Sequence, residues 1–203
     1  MARPTASHAA SQEETRLRIL QQAIGLFARS GFDGVSMRDV AAAVGVTPAA
    51  LYYHFADKEQ LFLAVLGRLF SGDIGDTVKD LGPPDQPWQR LETFIHRLVL
   101  MLSRNPELQR LMQWVLLDTD DARLQRLADN LFTPFYLAIV DLVQKVGAAD
   151  DPFLQAHSIF SMVVFPFETA GVGRFLPGFR LPQQEPELLA QHICRLLRHG
   201  LAG

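Results

Sequence analysis

The sequence predicts an all-α chain of about nine helices: an N-terminal three-helix helix-turn-helix domain and a larger C-terminal helical bundle. Three observations carry this. Apolar residues recur at three-and-four spacing along most of the 203 residues. Most such stretches open on Ser, Thr, Asp or Asn, or on a proline at the first helical position. No alternating strand pattern occurs, and no repeat of roughly 20 to 50 residues.

Residues 1–10 are small and polar without periodicity, so a disordered tail is expected there. Ser11 with Glu14 forms a capping box ahead of Leu17, Leu20, Ile24 and Phe27, a helix that should stop at Gly31. Ser36 with Asp39 caps a second, two-turn helix ending at Gly45. Thr47 caps a third with Pro48 at its first position, where a missing N–H costs nothing. Asp57 with Gln60 opens a fourth that carries Leu61, Phe62, Val65, Leu66 and Leu69. The breaker cluster Gly82-Pro83-Pro84-Asp85-Gln86-Pro87 marks the domain boundary. The organisation expected is thus a tail (1–10), a helix-turn-helix domain (11–56), a connecting helix (57–81) and a C-terminal helical domain (82–203).

Beyond the boundary, Trp88, Leu91, Phe94, Ile95, Leu98 and Met101 form one helical stripe, and Asn105-Pro106 opens the next helix, with Leu108, Leu111, Trp114 and Val115. From about Asp121 to Val146 apolar residues keep helical spacing past Pro134, where a kink is expected. Asp151-Pro152 opens a helix apolar on nearly every side from Ile159 to Phe167, which something must cover. Glu185-Pro186 opens the last one. The Gly- and Pro-rich stretch from Gly171 to Pro182 reads as a linker.

Composition narrows the classes. With 48% hydrophobic and 20% charged residues the chain matches soluble globular averages, which excludes disordered, collagen-like and mucin-like readings. The single cysteine, Cys194, excludes an intrachain disulfide framework, and no Cys/His spacing suits zinc. A reducing, cytoplasmic location and no cofactor or metal are expected. Charges at Glu13, Glu14, Arg16 and Arg18 interrupt any leader-like run, and Ile159–Phe167 is about half the ~20 residues a bilayer span needs. The net charge of −3 lies beyond residue 60, because six bases and six acids balance before it. A nucleic-acid surface, if present, belongs to the N-terminal part.

Two short, separately capped helices around the turn Gly45-Val46 have the layout in which the second helix enters a DNA major groove. Ala41, Ala42 and Ala43 allow close approach, and Val40, Val44, Val46 and Leu51 supply a minimal core. In GFDGVSMRDVAAAVGVTPAALYYHFADKEQLF, and in the helix before it, the sequence resembles the TetR family of one-component bacterial transcription regulators, over about residues 13–66. The resemblance implies a homodimer whose N-terminal domains hold DNA half-sites and whose C-terminal domains bind a small molecule. By motif position, Ser36 would bond a phosphate and Arg38 would face the groove or backbone. Thr47, Pro48, Ala49, Tyr52, Tyr53 and His54 would form the recognition surface, and Lys58 would sit on phosphate. A helix N-terminus, a lysine and tyrosine hydroxyls suit phosphate and base edges. The alternative for Tyr52 and Tyr53 is packing against the first helix, and for His54 a packed, hydrogen-bonding role. Ala49 and Ala50 depart from the polar residues many relatives carry, and the helix holds no Asn, Gln or Arg for bidentate base pairing. Specificity is therefore expected from Arg38, Thr47, Tyr52, methyl contacts and DNA shape.

In the C-terminal half, Phe94, Met101, Trp114, Phe132, Phe135, Tyr136 and Phe160, with His157, are the candidate ligand-binding residues, although aromatics at helical spacing are core by default. Few charges fall on these stripes, so the effector should be small and mostly apolar. The last two helices are the expected dimer interface, closing a four-helix bundle between two chains. No zincin, nucleophile-elbow, Walker or dinucleotide motif occurs, and Cys194 sits on an apolar face, so an enzyme is not expected. The expected function is a ligand-responsive repressor that binds a pseudo-palindromic operator as a homodimer and is released by its effector. The alternative is a dimeric helical interaction protein that has lost specific DNA binding.

Overall fold

Ser36, Thr47 and Asp57 start three helices in succession, because each side-chain oxygen accepts an N–H of the following first turn. They follow α1 (Ala6–Ser30) and begin α2 (Met37–Val44), α3 (Pro48–His54) and α4 (Lys58–Leu69). The computed structural model describes the backbone of residues 6–70, 75–147 and 151–201. After a single turn, α5 (Gly75–Thr77), come α6 (Pro87–Arg104), α7 (Pro106–Leu116), α8 (Asp121–Leu127), α9 (Thr133–Val146), α10 (Pro152–Glu168), the short α11 (Ala170–Gly173) and α12 (Pro186–Leu201). The described residues contain no strand.

Three expectations change. α1 begins at Ala6 rather than at a Ser11 cap. The alanine-rich stretch Ala6–Ala10 favours continued helix, and the Ser11 carbonyl accepts from the Thr15 hydroxyl (2.9 Å) inside it. Of the expected tail, residues 1–5 lie outside the described residues. The connecting helix ends at Leu69, well before 81, with 71–74 outside the described residues. At Pro134 the chain widens: Ala128–Phe132 forms a π-helical segment, closed by the Thr133 N–H on the Ala128 carbonyl. Proline lacks an N–H and its ring crowds the carbonyl four residues back, and the wider turn just upstream relieves both.

One apolar core runs through the chain. Phe27, Val40, Leu51, Phe55 and Phe62 close the first four helices, and Leu91, Phe94, Ile95, Leu108, Leu111 and Ile139 close the bundle. Two residues decide how the halves meet. Gly31 ends α1 with φ +69° and lies flat under the Trp114 ring, where an added Cβ would come within 2.8 Å of the indole. Trp114 Nε1 donates to the Ala28 carbonyl (3.2 Å), completing the seat of α7 on the end of α1. The stretch expected as a linker folds onto itself, with the Phe179 ring against Gly173.

Candidate functional site

The helix-turn-helix is held by α2 and α3 around Gly45, whose left-handed backbone (φ +77°) returns its own N–H to α2 carbonyls. Leu51 and Phe55 point inward. Thr47, Pro48, Ala49, Tyr52 and Tyr53 are exposed on the outer side, with His54 partly so. Tyr52 and Tyr53 keep 52% and 71% of their surface open, which disposes of the alternative that both pack into α1. Tyr53 does lean back, its hydroxyl accepting from Gln12 Nε2 (3.1 Å) and its ring edge-on to His54. Ser36, Arg38, Tyr52 and Lys58 line one shallow groove beside α3.

Two of these side chains are already engaged. The Asp39 N–H on the Ser36 hydroxyl and the Ser36 N–H on the Asp39 carboxylate (2.8 Å) form a capping box, and the Ser36 hydroxyl also donates to that carboxylate (2.6 Å), so the Ser36 hydroxyl and N–H together hold the Asp39 carboxyl below its usual range. Lys58 Nζ donates to the Phe32 carbonyl (2.9 Å) and lies over the Phe32 ring at 4.2 Å. Arg123 covers the same ring at 4.1 Å. Its guanidinium forks onto Asp118 (2.5 and 2.6 Å) and reaches Asp120. That pairing holds Asp118 below the usual carboxylate range and raises Arg123. Phe32, between α1 and α2, is thus clamped by one cation from each half of the chain.

The second site is a cavity of about 300 Å³ in the bundle, bounded by the end of α4, α6, α7, the α9 start and α10. Six of the eight candidate ligand residues line it: Met101, Phe132, Phe135, Tyr136, His157 and Phe160. Phe94 lies behind the wall, fully buried against Phe135, and Trp114 faces α1 from the other side of α7. His96, on α6, lies off the cavity and meets Glu187 of α12 (3.0 Å). The Tyr136 hydroxyl donates to the Phe153 carbonyl (2.7 Å). Sequence reasoning missed Phe70, Gln109, Met112 and Glu168 on the wall. Glu168 had one signal: it is the only Asp, Glu, Lys or Arg in α10, at the end of a mostly apolar run. Burial raises its carboxyl against the opposing bond from Gln113.

The walls are shared with the N-terminal half. α4 starts beside the helix-turn-helix and ends at Phe70 in the cavity wall, edge-on to Phe132. α7 sets Gln109, Met112 and Val115 on the cavity and Trp114 on Gly31. Cys194, on α12, is buried and its thiol is pushed up to about 11, chiefly by desolvation, as suits an inert packing residue. No group of three potential metal ligands occurs among the described residues, and no described helix is long and apolar enough to cross a membrane.

Residues 19–65 match the family model described as bacterial regulatory proteins, tetR family. The HTH-type transcriptional repressor KstR of Mycobacterium tuberculosis is 31% identical over 128 residues, 60% of this chain and 58% of KstR. The chain spans about half to three fifths of the length of the first curated relatives it matches. Among solved structures, a bacterial regulatory protein in the tetR family from Rhodococcus RHA1 superposes with TM-score 0.68 at 19% identity, covering 90% of this chain and 96% of that one. AibR, in complex with isovaleryl coenzyme A and operator DNA, superposes with TM-score 0.67 at 23% identity over 90% and 97%. At these identities the superpositions establish a shared all-helical fold.

Proposed function

We propose, from the premise that this chain belongs to the TetR family of transcription regulators, that it is a ligand-responsive repressor. In this reading it binds an operator as a homodimer and is released by a small, mostly apolar effector. One observation carries the reading: α4, which follows the helix-turn-helix, ends in the cavity wall at Phe70, and α7 has one face on the cavity and another on the end of α1, the helix that packs against α2 and α4. A ligand that displaces α7 must shift Trp114 on Gly31, and with it the end of α1. Two recognition helices re-aimed in this way no longer match successive major grooves ~34–36 Å apart.

On the DNA side, Thr47, Pro48, Ala49 and Tyr52 would meet the bases, and Arg38 the groove edge or backbone. Tyr53, held by Gln12, and His54 would flank them. Ser36 would reach phosphate only after its hydroxyl gives up Asp39, and Lys58, tethered to the Phe32 carbonyl by one of its three N–H donors, would have only the others to turn outward, so their share of affinity is smaller than that of Tyr52. The homodimer would form through α10 and α12, where Phe165 and Leu196 stand 65% and 51% exposed. Residues 11–56 serve as the DNA-binding unit and 82–203 as the sensing and dimerisation unit.

The internal engagement of Ser36 and Lys58 favours one competing reading, an interaction protein that no longer binds DNA specifically. Fluorescence anisotropy on an operator found by random-library selection, at two salt concentrations, separates the two. The repressor reading expects selective, salt-weakened binding that Tyr52→Ala reduces about tenfold or more and Lys58→Ala less. Weak binding that ignores both sequence and Tyr52→Ala would favour the interaction protein.

A further inference from the structure

The cavity is polar at only a few points, and they are not alike. Along α10, His157, Phe160, Val164, Phe167 and Glu168 lie on the cavity face. The eleven residue steps from His157 to Glu168 span about 16 Å of helix at ~1.5 Å per residue. His157 stands exposed at one end. Glu168 sits at the other, beside α7, half-buried, with the Gln113 side chain as its bonding partner. No lysine or arginine lines the cavity, and no ion pair to Glu168 exists among the described residues. The other polar groups are committed: the Gln109 amide donates to the Leu102 carbonyl (2.5 Å) and the Tyr136 hydroxyl to that of Phe153.

We infer that this cavity selects an amphiphile whose head group is a cation or hydrogen-bond donor, held by Glu168, with an apolar tail lying along α10 toward His157. This rests on the reading of the cavity as the effector site and specifies its ligand class. An acceptor-only carboxylate in a carbon-lined space repels an anionic head, whereas an ammonium supplies the counter-charge that neither wall provides. Desolvation already raises the Glu168 carboxyl, and a bound cation would reverse that cost. Size agrees with a compact ligand: at ~30 Å³ per water-sized group, 300 Å³ admits about ten such groups.

Octylamine, octanol and octanoate share one tail and differ in head group. Isothermal titration of each into the full chain, wild type and Glu168→Gln, tests the assignment, with circular dichroism to establish that the variant is folded. The expected result is octylamine binding at least tenfold tighter than octanol and octanoate weakest. Glu168→Gln should remove the amine preference while leaving octanol within about threefold. Octanoate binding as well as octylamine to the wild type would overturn the head-group assignment and leave the effector site standing. An unchanged amine preference in Glu168→Gln would do the same. Failure of all three to bind the wild type would overturn the effector site itself, and the head-group assignment with it.

Discussion

From Gly31 to Phe62 the interior is filled: Val35, Met37, Val40, Leu51, Phe55 and Phe62 are all buried, and the three helices there begin on caps supplied by their own sequence. From Leu98 to Glu168 the helices instead surround about 300 Å³, and one of them widens into a π segment at 128–132. At ~24 cal/mol per Å³ of cavity, such a void corresponds to up to ~7 kcal/mol of packing forgone, an upper bound because the cavity is open to solvent. The filled region has one arrangement to keep, and its job in the proposed mechanism is to present α3 rigidly. The hollow region can exchange empty space for ligand, so it is the half whose conformation a small molecule can bias.

The contact between the two regions is where this comparison breaks most readily. Gly31→Val should have the largest effect, since it places a branched side chain at φ +69° and drives Cβ into the Trp114 ring. A loss of about 3 kcal/mol or more in urea unfolding is expected; a loss under about 0.5 kcal/mol would mean the halves are not seated on one another there. Acid should act next. Asp118 is held below its ordinary value of 3.8 by Arg123, so its contribution is present above that value and is lost as pH falls through the lower folded one. Asp118→Asn should therefore flatten the acid limb of the stability curve, read from thermal unfolding between pH 5 and 2, and weaken the clamp on Phe32 at neutral pH. The smallest effect on stability is expected from Pro134→Ala, which removes the reason for the π segment. Effector response should change more than DNA affinity, and equal changes in both would contradict a switching role for that turn.

The filled region was legible because its signals are local. Ser36 with Asp39, Thr47 with Pro48, and Asp57 with Gln60 announce helix starts within four residues, and Gly45 announces the turn. The hollow region was legible as helices but not as a cavity. Phe94 and Phe135 both sit on apolar stripes, yet one is sealed behind the other, which depends on how α6 and α9 cross. Trp114 belongs to the stripe that contains Leu108 and Leu111, but its position on α7 turns it onto Gly31 rather than inward. Lys58 reads as a phosphate ligand from its motif, and only the folded Phe32 carbonyl reveals a competing partner. At Ala6–Ala10 the weak signal of helix propensity outweighed the stronger-looking cap at Ser11.

The central claim, that occupancy of the hollow region reaches α3 through α7 and Trp114, can be measured without knowing the effector. Val164 lines the cavity on α10, away from the helix-turn-helix, and Val164→Trp would occupy that space permanently. Operator affinity by fluorescence anisotropy, for the wild type and Val164→Trp and again for both in a Trp114→Ala background, reads the coupling directly. The account predicts that Val164→Trp weakens operator binding about tenfold and that the weakening falls to about threefold or less once Trp114 is removed. Undiminished operator affinity in Val164→Trp, or the same weakening with and without Trp114, would contradict it.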